Sequence, residues 1–336
     1  AGGSAVGLIA GGLLTELTSW RWCLYINVPI ALLAGLGALL IRRDTPSRGG
    51  GFDVPGAVLS VAGFTALGYA FSQTEARGWT DPVVVGGIAG GVVALAGFIL
   101  VERRTARPLL PLGVLWHRAR GSAIISIGLT HVAMFGFFLF MSYYTQTVLG
   151  YSPIQAGLTL IINALAAVVG SVLIAGRLQG RVRPSMVVVP GLVAMAVGVY
   201  IVTGLSAQST GVLPVFLTPA LLLTGLGLGA VIATTASQAT QGVRGHETGI
   251  AAAGYNAAMQ LGAALGTALF NSIATAATES SSDTGNAAIV NGYTSALTVA
   301  FGILVAAALV AAVLEVSRSK ASQPNSSKPI PERNPS

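Results

Sequence analysis

Ionisable side chains are scarce in this sequence, so those inside apolar runs are the first candidates for chemistry. The 336 residues include only 11 Asp or Glu, 18 Lys or Arg and 3 His. Among these, His131 alone falls well inside a long apolar run, at 122–147. An imidazole there can carry a proton near neutral pH, or can stay neutral and hydrogen bond a neighbouring helix. At about 100° per residue, His131, Phe135, Phe138, Ser142 and Thr145 share one narrow helical stripe, with Gln146 at its edge. Polar groups interleaved with aromatics suit a cavity for amphipathic organic molecules; the same aromatics also suit plain packing. The run 248–275 carries a second stripe, Asn256, Gln260, Thr267 and Asn271, with Gly262 and Gly266 roughly opposite. That helix is expected to have one wet face and one face packed through small residues. Asn163 is a lone polar residue in the middle of another apolar run. Glu16 and Asp53 stand at run ends, where carboxylates anchor or cap.

Other chemistries are excluded by residue type. The one cysteine, Cys23, permits no internal disulfide and no Cys-based metal site. Three histidines without HExxH spacing make a metal centre improbable, and no Ser-His-Asp or Cys-His set is present. Gly225, Gly227 and Gly229 lie inside an apolar run with no preceding strand and no adjacent basic residue, so they do not form a nucleotide loop. The chain reads as a non-enzyme without a cofactor.

The elements that position these residues follow from the solvent. Hydrophobic residues make up 53% of the chain, charged residues 9%, and mean hydropathy is +0.75. Such a surface belongs in a lipid bilayer. The net charge of +7 does not point to nucleic acid, because the basic residues are scattered among short loops without interleaved aromatics. Nine runs are long enough to cross a bilayer: 22–41, 54–72, 83–101, 122–147, 154–176, 185–205, 211–235, 248–275 and 291–315. The shorter run 2–17 reads as the tail of a tenth. With the end of that run outside, alternation puts sixteen Lys and Arg in inner loops and the C-terminal tail, against Arg21 and Arg77 outside. This positive-inside bias supports both the count and a cytoplasmic C-terminus. Trp20 and Trp22 then lie at the outer interface, Pro29 falls in the first turns of the next helix, and Asn27 is placed to satisfy freed backbone groups. Sixteen Arg against two Lys, with abundant Ala and Gly, suggest a bacterial source.

The stretch WRWCLYINVPI, Trp20 to Ile30, resembles the segment after the fifth helix of the 14-helix drug:proton antiporters of the major facilitator superfamily, the EmrB/QacA-like group. GLIAGG, Gly7 to Gly12, is similar to their antiporter motif G-P-x-x-G-G, with Leu8 where the motif has Pro. FDVPG (52–56) with Gly78 and Trp79 resembles the seventh helix and its loop, and TQTVLGYSP (145–153) the outer turn after the ninth. GRLQGRVR, Gly176 to Arg183, looks like a degenerate loop motif G-x-L-x-D-R-x-G-R, with Gly180 in place of Asp. GLGLG (225–229) and the stretch Asn256 to Gly266 fit in order.

The resemblance implies an all-α polytopic membrane protein of the major facilitator fold. Residues 1–41 would be what remains of an N-terminal bundle beginning within helix 5. Residues 42–120 would hold two extra membrane helices and an amphipathic inner-surface segment at 109–120. Residues 121–316 would form a complete six-helix C-terminal bundle, followed by a disordered cytoplasmic tail, 317–336. It implies export of hydrophobic or amphipathic small molecules from a bacterial plasma membrane, coupled to protons, by a monomer. Gly7, Gly11 and Gly12 would gate, Gly176, Arg181 and Arg183 would form the cytoplasmic loop motif, and both polar stripes with Asn163 would line the cavity. Acidic coupling residues of such antiporters lie in the first helices, so this chain alone is not expected to transport. A permease for another solute and a non-transporting remnant are the alternatives.

Overall fold

The computed structural model describes residues 2–40, 53–105, 118–206, 208–242 and 248–321. The described residues are helical, joined by short turns, and contain no strand. In chain order the helices are α1 (Gly2–Leu17), α2 (Trp22–Tyr25), α3 (Asn27–Leu40), α4 (Val54–Arg77), α5 (Pro82–Arg104) and α6 (Arg118–Tyr143). They continue with α7 (Pro153–Val169), α8 (Ser185–Thr203), α9 (Thr218–Thr240), α10 (Thr248–Glu279) and α11 (Asn286–Ala321). Among the described residues, eight helical segments are long and apolar enough to cross a membrane. The chain is a multi-pass membrane protein.

The run 22–41 differs from its expected single span. It is divided at Ile26 into α2 and α3. Pro29 has no N–H to offer the preceding turn. At the break the Asn27 side-chain amide donates to Cys23 O at 3.1 Å and Leu24 O at 3.3 Å, holding carbonyls of the last turn of α2. The amphipathic segment assigned to 109–120 lies mostly outside the described residues, as does the tail beyond Ala321. Helix α11 itself continues past the expected boundary at 316.

Helix starts are written into the sequence. The Asp53 carboxylate caps α4 by accepting from Gly56 N at 3.0 Å, and Asp81 caps α5 by accepting from Val83 N at 2.8 Å. Ser152 and Gln155 form a reciprocal capping box at α7, with Pro153 at the first helical position. Three widened π turns, Tyr144–Val148, Gly170–Ala175 and Leu213–Leu217, extend α6, extend α7 and precede α9.

Small residues decide which helices approach. In lipid, association rests on close packing and hydrogen bonds, because tails and side chains are equally apolar. A Cβ on Gly262 would overlap Gly128 O, and one on Gly266 would overlap Val132 O, so α10 lies backbone-to-backbone on α6. Their opposite face leaves Asn256, Gln260 and Thr267 exposed, the two-sided character expected of this helix. Helix α9 is clasped from both sides. Gly225 and Gly229 meet the backbone of α7 at Asn163 and Ala167, while Gly227 meets Gly191 on α8. Phe137, Phe140, Leu192, Met195, Leu221, Leu297 and Leu304 fill the space among α6, α8, α9 and α11. The α4–α5 hairpin packs on α10, and α1 packs on α7.

Candidate substrate cavity

The site assembles where α1, α6, α7 and α9 meet. Gly7 on α1 has open space where a side chain would stand, and beside it the helices leave a cavity of about 460 Å³. That is within the usual range for small-molecule sites, roughly 300–1,000 Å³. Phe138 of α6, Leu160 of α7 and Leu228 and Ile232 of α9 provide its apolar wall. The polar side chains on it are Asn163 and Ser171, and no ionisable residue lines it among the described residues.

Asn163 is held from behind. Its amide nitrogen donates to Leu221 O at 3.1 Å and to Thr224 Oγ1 at 2.8 Å, both on α9. Ser171 stands in the π turn after α7, where the backbone widens, and its hydroxyl donates to Val168 O at 3.0 Å. Widened turns of this kind recur at functional sites.

A second crevice of about 260 Å³ continues from the cavity along α1. Gly7, Gly11 and Gly12 form one side, Ser142 and Gln146 another, and the first turns of α7 the third. Of the glycines, Gly12 alone is pressed against a neighbour, a Cβ there coming within 3.1 Å of Pro153 O. Beside it Glu16 reaches α7. Its carboxylate accepts from Ser152 Oγ at 2.9 Å and from Ile154 N at 3.1 Å, joining α1 to the helix start.

The residues singled out from sequence separate into groups. Phe138 and Asn163 line the cavity, and Ser142 and Gln146 line the adjoining crevice. His131 is buried at the contact with α10, where a Cβ on Gly262 would lie 3.3 Å from its Cβ. Its Nδ1 lies 3.0 Å from Ile127 O. A carbonyl only accepts, so Nδ1 carries the proton. Phe135 is exposed and stacks obliquely near His131, their ring centres 6.0 Å apart. Asn256, Gln260 and Thr267 sit on the exposed face of α10, outside both cavities. Gly176 opens a short turn after α7, and Arg181 and Arg183 are exposed in the connection to α8. There Gln179 donates to Ser237 Oγ at 2.6 Å, beside a polar pocket of about 280 Å³. Sequence reading missed Leu160, Leu228, Ile232 and Ser171. The glycine run 225–229 was the available signal, since it brings α9 onto α7 and so sets the wall they form.

The Major Facilitator Superfamily model matches residues 1–267 and 125–333. The chain is 44% identical over 337 residues to the puromycin resistance protein pur8 of Streptomyces alboniger, covering 98% of this chain and 67% of that protein. It is 34% identical over 292 residues to the cephamycin export protein CmcT of Amycolatopsis lactamdurans, covering 83% of this chain and 58% of that protein. It is 30% identical over 269 residues to the tetracenomycin C resistance and export protein of Streptomyces glaucescens, covering 79% and 49%. The chain thus spans about half to two thirds of the length of these relatives. Matched along most of its length and folded as a helical membrane bundle, the chain belongs to the Major Facilitator Superfamily.

Proposed function

We propose that this protein serves export of hydrophobic or amphipathic small molecules from a bacterial cell, coupled to inward proton movement. The observation that carries the reading is the apolar cavity of about 460 Å³, lined by no ionisable residue among the described ones. A sugar or organic acid would leave polar groups unpaired there, at a cost of about 1–3 kcal/mol each. An apolar antibiotic loses little by entering. The relatives named above are called resistance or export proteins, which supports the direction of transport. The name of the 44%-identical relative makes puromycin the first compound to test.

The charge distribution supports an orientation with the Leu17 end of α1 outside. On that reading the Glu16 contact closes the outer side while the cavity lies toward the inner half of α7 and α9. This is an inward-facing arrangement within an alternating-access cycle.

The test is expression of the protein from its own gene in a drug-sensitive bacterium. Puromycin tolerance should rise, and retention of a fluorescent amphipathic dye should fall until a protonophore collapses the gradient. Unchanged tolerance and dye retention would refute export. Efflux insensitive to the protonophore would refute proton coupling alone.

A further inference from the structure

Asn163 is 3% exposed, and that remainder borders the cavity. Both acceptors of its amide nitrogen are chemically fixed. Leu221 contributes a backbone carbonyl, which cannot donate. The Thr224 hydroxyl already gives its proton to Ala220 O at 2.6 Å, so toward Asn163 it also only accepts. Turning the amide over would set Oδ1 against two acceptors. The NH2 group therefore points into α9, and Oδ1 points to the cavity. Oδ1 accepts no hydrogen bond from any described residue and is not sealed off from the cavity.

The rest of the described wall has nothing to donate. The Ser171 hydroxyl gives its proton to Val168 O, leaving only lone pairs. The other lining side chains are apolar or absent. The wall is thus apolar with acceptors and no free side-chain donor.

We propose that Asn163 sorts cargo by hydrogen-bond donors. An apolar molecule carrying an N–H or O–H is held at Oδ1. A molecule of similar shape without a donor leaves Oδ1 unpaired and binds more weakly. This inference rests on the reading of the cavity as the cargo site and gives that cargo a chemical class: apolar molecules that carry an N–H or O–H, neutral or with a delocalised charge.

The test compares two fluorescent cations of the same body, binding to the protein expressed from its own gene and purified into lipid nanodiscs. One is a dialkylrhodamine ester whose nitrogens each keep an N–H. The other is a tetraalkylrhodamine ester with none. The readout is the ratio of their dissociation constants, corrected against empty nanodiscs. A misfolded fraction lowers binding amplitude but does not move this ratio. The preference for the N–H probe should fall about fivefold in Asn163→Leu, the net worth of one hydrogen bond. Thr224→Val, which loosens the amide while keeping the cavity, should lower the preference by less. An unchanged ratio in Asn163→Leu overturns the inference and leaves the cavity reading intact. A wild-type protein that binds neither probe overturns both.

Discussion

Glu16 on α1 accepts a hydrogen bond from Ser152 on α7, Oε2 to Oγ at 2.9 Å, across 136 positions of sequence. The same oxygen accepts from Ile154 N at 3.1 Å. A free N–H at a helix start needs an acceptor from elsewhere, and here the acceptor belongs to another helix. Gly12 one turn earlier lets the two helices touch closely enough for this reach.

Replacing Glu16 by Ala should free the Ile154 amide. Amide hydrogen exchange at Ile154 should accelerate roughly tenfold, the worth of one charge-assisted bond partly screened by water. Exchange in α8 and α11 should stay as in the wild type. Protection of Ile154 that survives the substitution would show that another group holds it.

Glycines in α9 and α11 should respond in opposite directions. A Cβ on Gly229 would overlap Ala167 O, a backbone atom that cannot move aside. Gly229→Ala should therefore destabilise the fold by about 3 kcal/mol or more, by forcing α7 and α9 apart. Gly302 has nothing within 4 Å of such a Cβ, and Gly302→Ala should gain up to about 1 kcal/mol from helix propensity. Thermal unfolding of the two variants, monitored by intrinsic fluorescence, checks the sign of each. Equal midpoints would contradict the packing described for α9.

A polar link ties the turn of the α4–α5 hairpin to α10. Trp79 Nε1 donates to Ser272 Oγ at 2.8 Å. Trp79→Phe keeps a smaller aromatic ring and removes the donor, at a cost of about 1 kcal/mol for the bond. Limited proteolysis near 78–81 should quicken several-fold, with α6 to α11 unaffected. Cleavage at the wild-type rate would show that ring packing alone holds the hairpin.

Much of this architecture was open to reading because lipid imposes simple demands. A crossing helix must be long and apolar, so the runs from 54 onward stand out without tertiary knowledge. The exposed polar face and the packed glycine face of α10 were readable because Asn256, Gln260, Gly262 and Gly266 keep a regular helical spacing. The cavity was less accessible. His131 and Phe138 share a face, but seven residues place them about 10 Å apart along α6. Only Phe138 lies level with the opening, while His131 meets α10 instead. The role of Asn163 depends on Leu221 and Thr224, 58 and 61 positions away. No local pattern announces such a partner. The break at Ile26 was missed because hydropathy does not register where a backbone bond is lost.

The π turn Gly170–Ala175 has an evolutionary consequence. Such a turn holds one residue more than the α-helix requires, so the chain can shed one there without severing the helix. Deleting a residue would rotate everything beyond it by about 100° relative to α7. Ser171 sits in that turn, on the cavity wall. A lineage could therefore re-aim part of the wall by a change in length alone, altering what the cavity accepts while every other side chain keeps its identity.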